Sequence, residues 1–188
     1  MKGVSVMISA IIYSSTTGSC KQYAEKLSAA LHIPAFDAKK VYTPKGREVI
    51  YVGWLFAGKV VGLEKALQGY DVRAVVQVGM ADNAGAEDAC REKNGLAADV
   101  QVFSLQGRFN LAGLPLPLRL IMKIKIKDIA KRLNAKAAKA SLTPAEQACL
   151  KMAETGKGEP ATWDGVQAVI DWAVARTNPP AVKKWPEV

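Results

Sequence analysis

The chain reads as an α/β protein: a parallel sheet of five strands with helices covering both faces. Two observations predict this. Short apolar runs recur along the chain, and segments of helical period separate them. The first run, Val4–Tyr13, is continuously apolar, as in strands buried on both faces. A third observation bears on the site. Between that run and the next helix, Ser14-Ser15-Thr16-Thr17-Gly18-Ser19-Cys20 crowds hydroxyls around one glycine.

Val4–Tyr13 leads into this loop rather than into a cleavage site, so it is read as a strand and not as a leader. Ser19–Leu31 follows as a helix, with Tyr23, Leu27, Ala30 and Leu31 as its inner stripe. Ile33–Phe36 is a short strand. Glu48–Val52 is the third, entered from the turn signal Thr43-Pro44-Lys45-Gly46. Lys59–Leu67 is expected to be helical, with Val60, Leu63 and Leu67 on one face and Gly69 as its cap. Val72–Gly79 is the fourth strand, Ala84–Asn94 a helix closed by Asn94-Gly95, and Val100–Leu105 the fifth strand.

Ile121–Lys127 alternates like a strand. Yet Leu118, Met122, Ile126, Ile129 and Leu133 share one helical face, and Leu, Met, Lys and Arg favour helix, so Leu114–Asn134 is predicted helical. Thr143 and Pro144 suit the N-cap and first position of a further helix. Thr162–Arg176 is the last helix, with Thr162 as N-cap and Asn178-Pro179-Pro180 as its end. No internal repeat or low-complexity linker interrupts a chain whose 188 residues suit one domain.

Lys and Arg number 26 against 17 Asp and Glu, a net charge of +9. Such a bias speaks to partners and not to fold. Cys20, Cys90 and Cys149 are scattered and His32 stands alone, so no zinc or iron–sulfur ligand set is expected. Unpaired cysteines suit a reducing cytoplasm. No run approaches the roughly 20 apolar residues of a membrane span. Arg119, Lys123, Lys125, Lys127, Lys131, Arg132, Lys136 and Lys139 form a basic segment behind Leu114, Leu116 and Leu118. It suits a solvated helix face, a surface for anionic lipid or a surface for an acidic redox partner. No nucleic-acid-binding signature accompanies the charge, so nucleic acid is not expected.

The hydroxyl loop is the candidate site. A strand, a small-residue loop and a helix start direct backbone N–H groups, hydroxyls and the positive end of a helix dipole to one point. That is an anion site, and phosphate is the usual anion. A plain turn needs one capping hydroxyl, whereas Ser14 to Thr17 are four in succession. Ser15, Thr17 and Ser19 are the expected side-chain donors, and Gly18 permits close backbone approach. The loop holds no lysine and no G-x-x-x-x-G-K-S/T pattern, which argues against ATP or GTP.

Ser15-Thr16-Thr17-Gly18-Ser19-Cys20, the Val52-Gly53-Trp54-Leu55-Phe56-Ala57-Gly58-Lys59 segment and the strand order together resemble the flavodoxin family. The family's first loop reads T/S-x-T-G-x-T and binds the phosphate of FMN. This chain matches all defined positions but the last, where Cys20, a weak donor, replaces threonine. The resemblance implies strand order 2-1-3-4-5 and FMN as cofactor. It places Ser14, Ser15, Thr16, Thr17, Gly18, Ser19 and Cys20 at the phosphate. It places Gly53, Trp54, Leu55, Phe56, Ala57 and Gly58 along the flavin ring, with Trp54 and Phe56 as stacking candidates; core packing is the alternative for both. Gly58 suits either a peptide flip beside the ring or a helix start. Gly79, Met80, Ala81 and Asp82 are expected on the ring's other side, with core filling as the alternative for Met80.

Phe103–Leu111 and Leu114–Lys127 are similar to a subgroup of short flavodoxin-domain proteins that includes flavodoxin-like protoporphyrinogen oxidases. That implies one domain over 1–188 with an insertion at about 107–160. No acid–base pair or nucleophile triad is visible, so the flavin would carry the chemistry. The resemblance implies a redox protein passing electrons to a quinone or a protein partner. A protoporphyrinogen oxidase-type FMN enzyme is the first alternative. A flavin-free interaction module is the second, kept open by Cys20 and Leu55. A surface through Arg119, Lys123, Lys125 and Lys127 would place a cytoplasmic protein against anionic membrane. The positive charge departs from acidic electron-carrier flavodoxins.

Overall fold

The computed structural model describes residues 8–40, 46–79, 85–158, 163 and 165–177. Among the described residues six strands form: β1 (Ala10–Ser14), β2 (Ala35–Asp37), β3 (Glu48–Phe56), β4 (Lys59–Val60), β5 (Asp71–Gly79) and β6 (Gln101–Gln106). Five of them pair in parallel in the order β2-β1-β3-β5-β6, while β4 is antiparallel to β3. The strands are β-branched and covered twice over. Ile11, Ile50, Val52 and Val76 face one layer, and Ile12, Val49, Tyr51 and Val75 face the other. Helices α1 (Ser19–Leu31) and α6 (Val166–Thr177) supply Tyr23, Leu27 and Val169 to the first layer. Helices α2 (Leu63–Leu67) and α3 (Glu87–Asn94) supply Leu63 and Cys90 to the second. This is a three-layer α/β/α sandwich of the flavodoxin-like class.

The departures from expectation are local. Val4–Met7, Thr43–Lys45, Ala84, Thr162 and residues 178–180 lie outside the described residues. In α1, Ala24 is buried and Ala30 exposed, the reverse of the assigned stripe. The larger correction concerns 53–67. Strand β3 continues through Gly53, Trp54 and Leu55 to Phe56. The chain then reverses at Ala57-Gly58, with φ of 52° and 82°. Two central residues with positive φ make the tight hairpin turn whose twist matches its strands. Lys59 and Val60 return as a strand, Gly62 breaks the chain at φ 83°, and only Leu63–Leu67 is helical. The apolar spacing of Val60, Leu63 and Leu67 matched a helix, but the turn chemistry overrides it. Gly69 donates to Ala66 O behind the Gln68 cap.

Beyond β6 the chain makes a short 3-10 turn (Leu111–Gly113), then α4 (Leu116–Ala137) and α5 (Pro144–Thr155). The alternating stretch 121–127 is therefore helix. Thr143 caps α5 in a reciprocal pair with Glu146, and Pro144 sits in the first turn. Phe109, Leu114, Met122, Ile126 and Met152 form a small core of their own, with Phe56 of β3 packed against it. That contact ties the added helices to the hairpin beside the site.

Candidate functional site

A cleft opens at the carboxyl ends of β1, β3, β5 and β6, where open parallel sheets place their ligands. Its open mouth included, it holds about 720 Å³ of space free of protein atoms.

One wall is the hydroxyl loop. Thr16 and Thr17 are exposed and line the cleft with Ser19 and Cys20. Gly18 is the N-cap of α1 at φ 96°, a left-handed conformation that suits glycine. Its N–H donates to Ser15 Oγ at 3.1 Å. No side chain caps α1 and no acidic residue stands in its first turn, so the positive helix end is available to an anion.

Not every hydroxyl faces the cleft freely. Ser19 is buried; its Oγ accepts from Arg108 N at 3.0 Å and donates to Arg108 O at 3.4 Å. Ser14 hydrogen-bonds the Tyr51 hydroxyl on the opposite face of the sheet. Burial pushes the Cys20 thiol up to about 12, so it stays protonated at neutral pH.

The second wall is the β3 end and the hairpin tip, through Trp54, Leu55, Phe56 and Ala57. The Trp54 ring meets Phe56 edge-on at 5.8 Å. Trp54 Nε1 is buried without a hydrogen-bond partner among the described residues, an orphan donor of the kind a ligand satisfies. Lys125 Nζ lies 5.6 Å from the Phe56 ring centre. Gly53 and Gly58 do not line the cleft. A Cβ on Gly53 would come within 2.5 Å of Val60 Cγ1, so this glycine lets the hairpin close over β3. Gly58 is a turn residue, not a helix start, and Asn94 Nδ2 holds its carbonyl at 3.3 Å.

Val78, Gly79 and Gly107 form the floor, and Gly107 N donates to Gly79 O at 2.7 Å. Met80, Ala81 and Asp82 lie outside the described residues.

The third wall was not foreseen. Arg108, Phe109 and Leu114 follow β6, and Leu118, Met122 and Lys125 project from α4. The shared helical face of Leu118, Met122 and Ile126 was readable in the sequence. What that face covers is set by tertiary packing and was not. Among the described residues no carboxylate or imidazole lines the cleft. The walls therefore provide neutral donors at one end, an aromatic and aliphatic middle, and two cations, but no acid–base pair.

No family model and no curated protein matches this chain. Among solved structures, the chain is similar to the crystal structure of a "Putative flavoprotein" from Bacteroides uniformis ATCC 8492. The identity is 10% and the TM-score 0.38, over 54% of this chain and 92% of that one.

Proposed function

We propose that this chain binds FMN in the cleft and works as a flavodoxin-like redox protein, with a quinone or a protein as electron acceptor. One observation carries the reading. The uncapped N-terminus of α1, flanked by the exposed Thr16 and Thr17, and the unpartnered Trp54 indole line one cleft. The donor set fits a phosphate monoester, since Thr16, Thr17 and the first-turn N–H groups supply dipoles and no loop lysine competes. Trp54, Leu55, Leu118 and Met122 would enclose the ring and exclude water from it. When bound, the flavin supplies one- or two-electron transfer. Arg108 and Lys125 stabilise negative charge gained in the cleft, and Ser19 fixes the Arg108 backbone against α1.

The wall from α4 favours a small acceptor held in the cleft over a ring edge left open. That supports a second reading, an FMN enzyme of the protoporphyrinogen oxidase type, which activity with a porphyrinogen and a quinone would single out. The test of the first reading is titration of the purified protein with FMN, read as quenching of flavin fluorescence. Submicromolar binding is expected. Absence of binding would leave a flavin-free interaction module on the same fold.

A further inference from the structure

Helix α4 carries apolar side chains on two faces. Leu118, Met122 and Ile126 face the cleft and α5. On the other side Leu116, Leu120, Ile121 and Ile124 are 71%, 62%, 46% and 72% exposed. At 100° per residue, Leu116, Leu120 and Ile124 form one outward ridge over two turns, with Ile121 beside it. Lys127 and Lys131 continue that face toward the C-terminus, and Lys123 flanks it. Lys123 and Lys127 have no carboxylate partner among the described residues; Asp128 is held by Arg132, with Lys131 adding attraction, and Glu146 by Lys136. Alongside, Arg119, Lys123 and Lys157 line a shallow groove between the start of α4 and the end of α5.

We propose that this outer face of α4 docks on an anionic lipid bilayer. Leu116, Leu120 and Ile124 dip below the headgroups, and Lys123, Lys127, Lys131 and Lys157 meet the lipid phosphates. The ridge is convex, as suits insertion into an interface rather than the filling of a groove. Its lysines complement a negative surface, and each basic group near such a surface adds attraction. A second copy of the chain carries the same +9 charge and is repelled. A ridge of a few side chains also falls well short of the about 800 Å² per partner that a stable protein interface buries. The inference does not depend on flavin binding.

The test is sedimentation of the full chain with vesicles of phosphatidylcholine, alone or mixed with phosphatidylglycerol, at low salt. Binding is expected only to the mixed vesicles. Leu120→Ser/Ile124→Ser changes exposed side chains, and Lys123→Glu/Lys127→Glu reverses two charges beside them. Each should weaken binding about tenfold or more. Lys39→Glu/Lys40→Glu makes the same change in net charge on exposed residues behind β2 and should bind nearly as the parent does. The proposal is overturned by no pelleting with anionic vesicles, or by equal loss in the Lys39/Lys40 control. Undiminished binding of the Leu120/Ile124 variant overturns it too, because the face then serves an acidic surface by charge alone. So does a dimer in equilibrium sedimentation that this variant abolishes.

Discussion

Ser19 and Arg108 hold each other by two hydrogen bonds. The Arg108 amide donates to Ser19 Oγ at 3.0 Å, and the Ser19 hydroxyl donates to the Arg108 carbonyl at 3.4 Å. The first turn of α1 is thereby fastened to the loop after β6. Tyr23, one turn later, adds a bond from its hydroxyl to Gln106 O at 2.6 Å. Ser19→Ala leaves the Arg108 N–H and C=O without this partner, and should cost about 1–3 kcal/mol. The urea midpoint measures it. An unchanged midpoint would mean that water replaces the hydroxyl at no cost.

Asn94 clamps the hairpin. Its Oδ1 accepts from Val60 N at 2.9 Å, and its Nδ2 donates to Gly58 O at 3.3 Å and Cys90 O at 2.8 Å. Asn94→Ala should destabilise by about 1–3 kcal/mol and loosen the hairpin ahead of the rest of the fold. Hydrogen exchange at the Val60 amide reads this directly. Protection equal to the parent's would show that Asn94 is not the clamp.

Ala57 occupies φ 52°, where a Cβ is strained. Ala57→Gly should relieve that strain and raise stability by about 0.5–1 kcal/mol after the added entropy of the unfolded chain. A thermal melt decides the sign; a lower midpoint would show the turn to be unstrained.

The Cys20 thiol gives a pH dependence. Burial raises it from the ordinary 9.0 to about 12 in the folded chain. The folded state therefore keeps its proton more tightly than the unfolded state. The stability contribution is full below pH about 9 and falls as pH rises from there toward 12. Cys20→Ala should flatten this alkaline decline. The parent thiol should also resist alkylation at pH about 8 until the protein unfolds; rapid labelling of native Cys20 would contradict its burial.

Much of this fold is legible in the sequence because two periods carry it. Val49 to Val52 and Val75, Val76 and Val78 are apolar on both faces, as only a doubly covered parallel strand requires. Ser19–Leu31 shows its limits through Gly18 and the following stripe. The hairpin was less legible. Gly53 to Phe56 read as a loop because the resemblance placed a ring-lining loop there, and the Ala57-Gly58 turn lacks the usual Asn or Asp before its glycine. The hydroxyl loop is legible from its place between an apolar strand and a helix start, but that pattern does not show that Ser14 turns to Tyr51 and Ser19 to Arg108. The cleft wall on α4 was hidden for a further reason. A helix apolar on two sides does not disclose which side its own domain covers.

In the proposed function, the hydroxyl loop and the start of α1 would bind the phosphate of a flavin whose ring would lie by Trp54. Parallel titrations with FMN and with riboflavin, which lacks the phosphate, isolate that contact. Quenching is expected with both, and an affinity for FMN about tenfold or more above that for riboflavin, a difference of ~1.4 kcal/mol or more. Equal affinities, or no quenching by FMN, would contradict it.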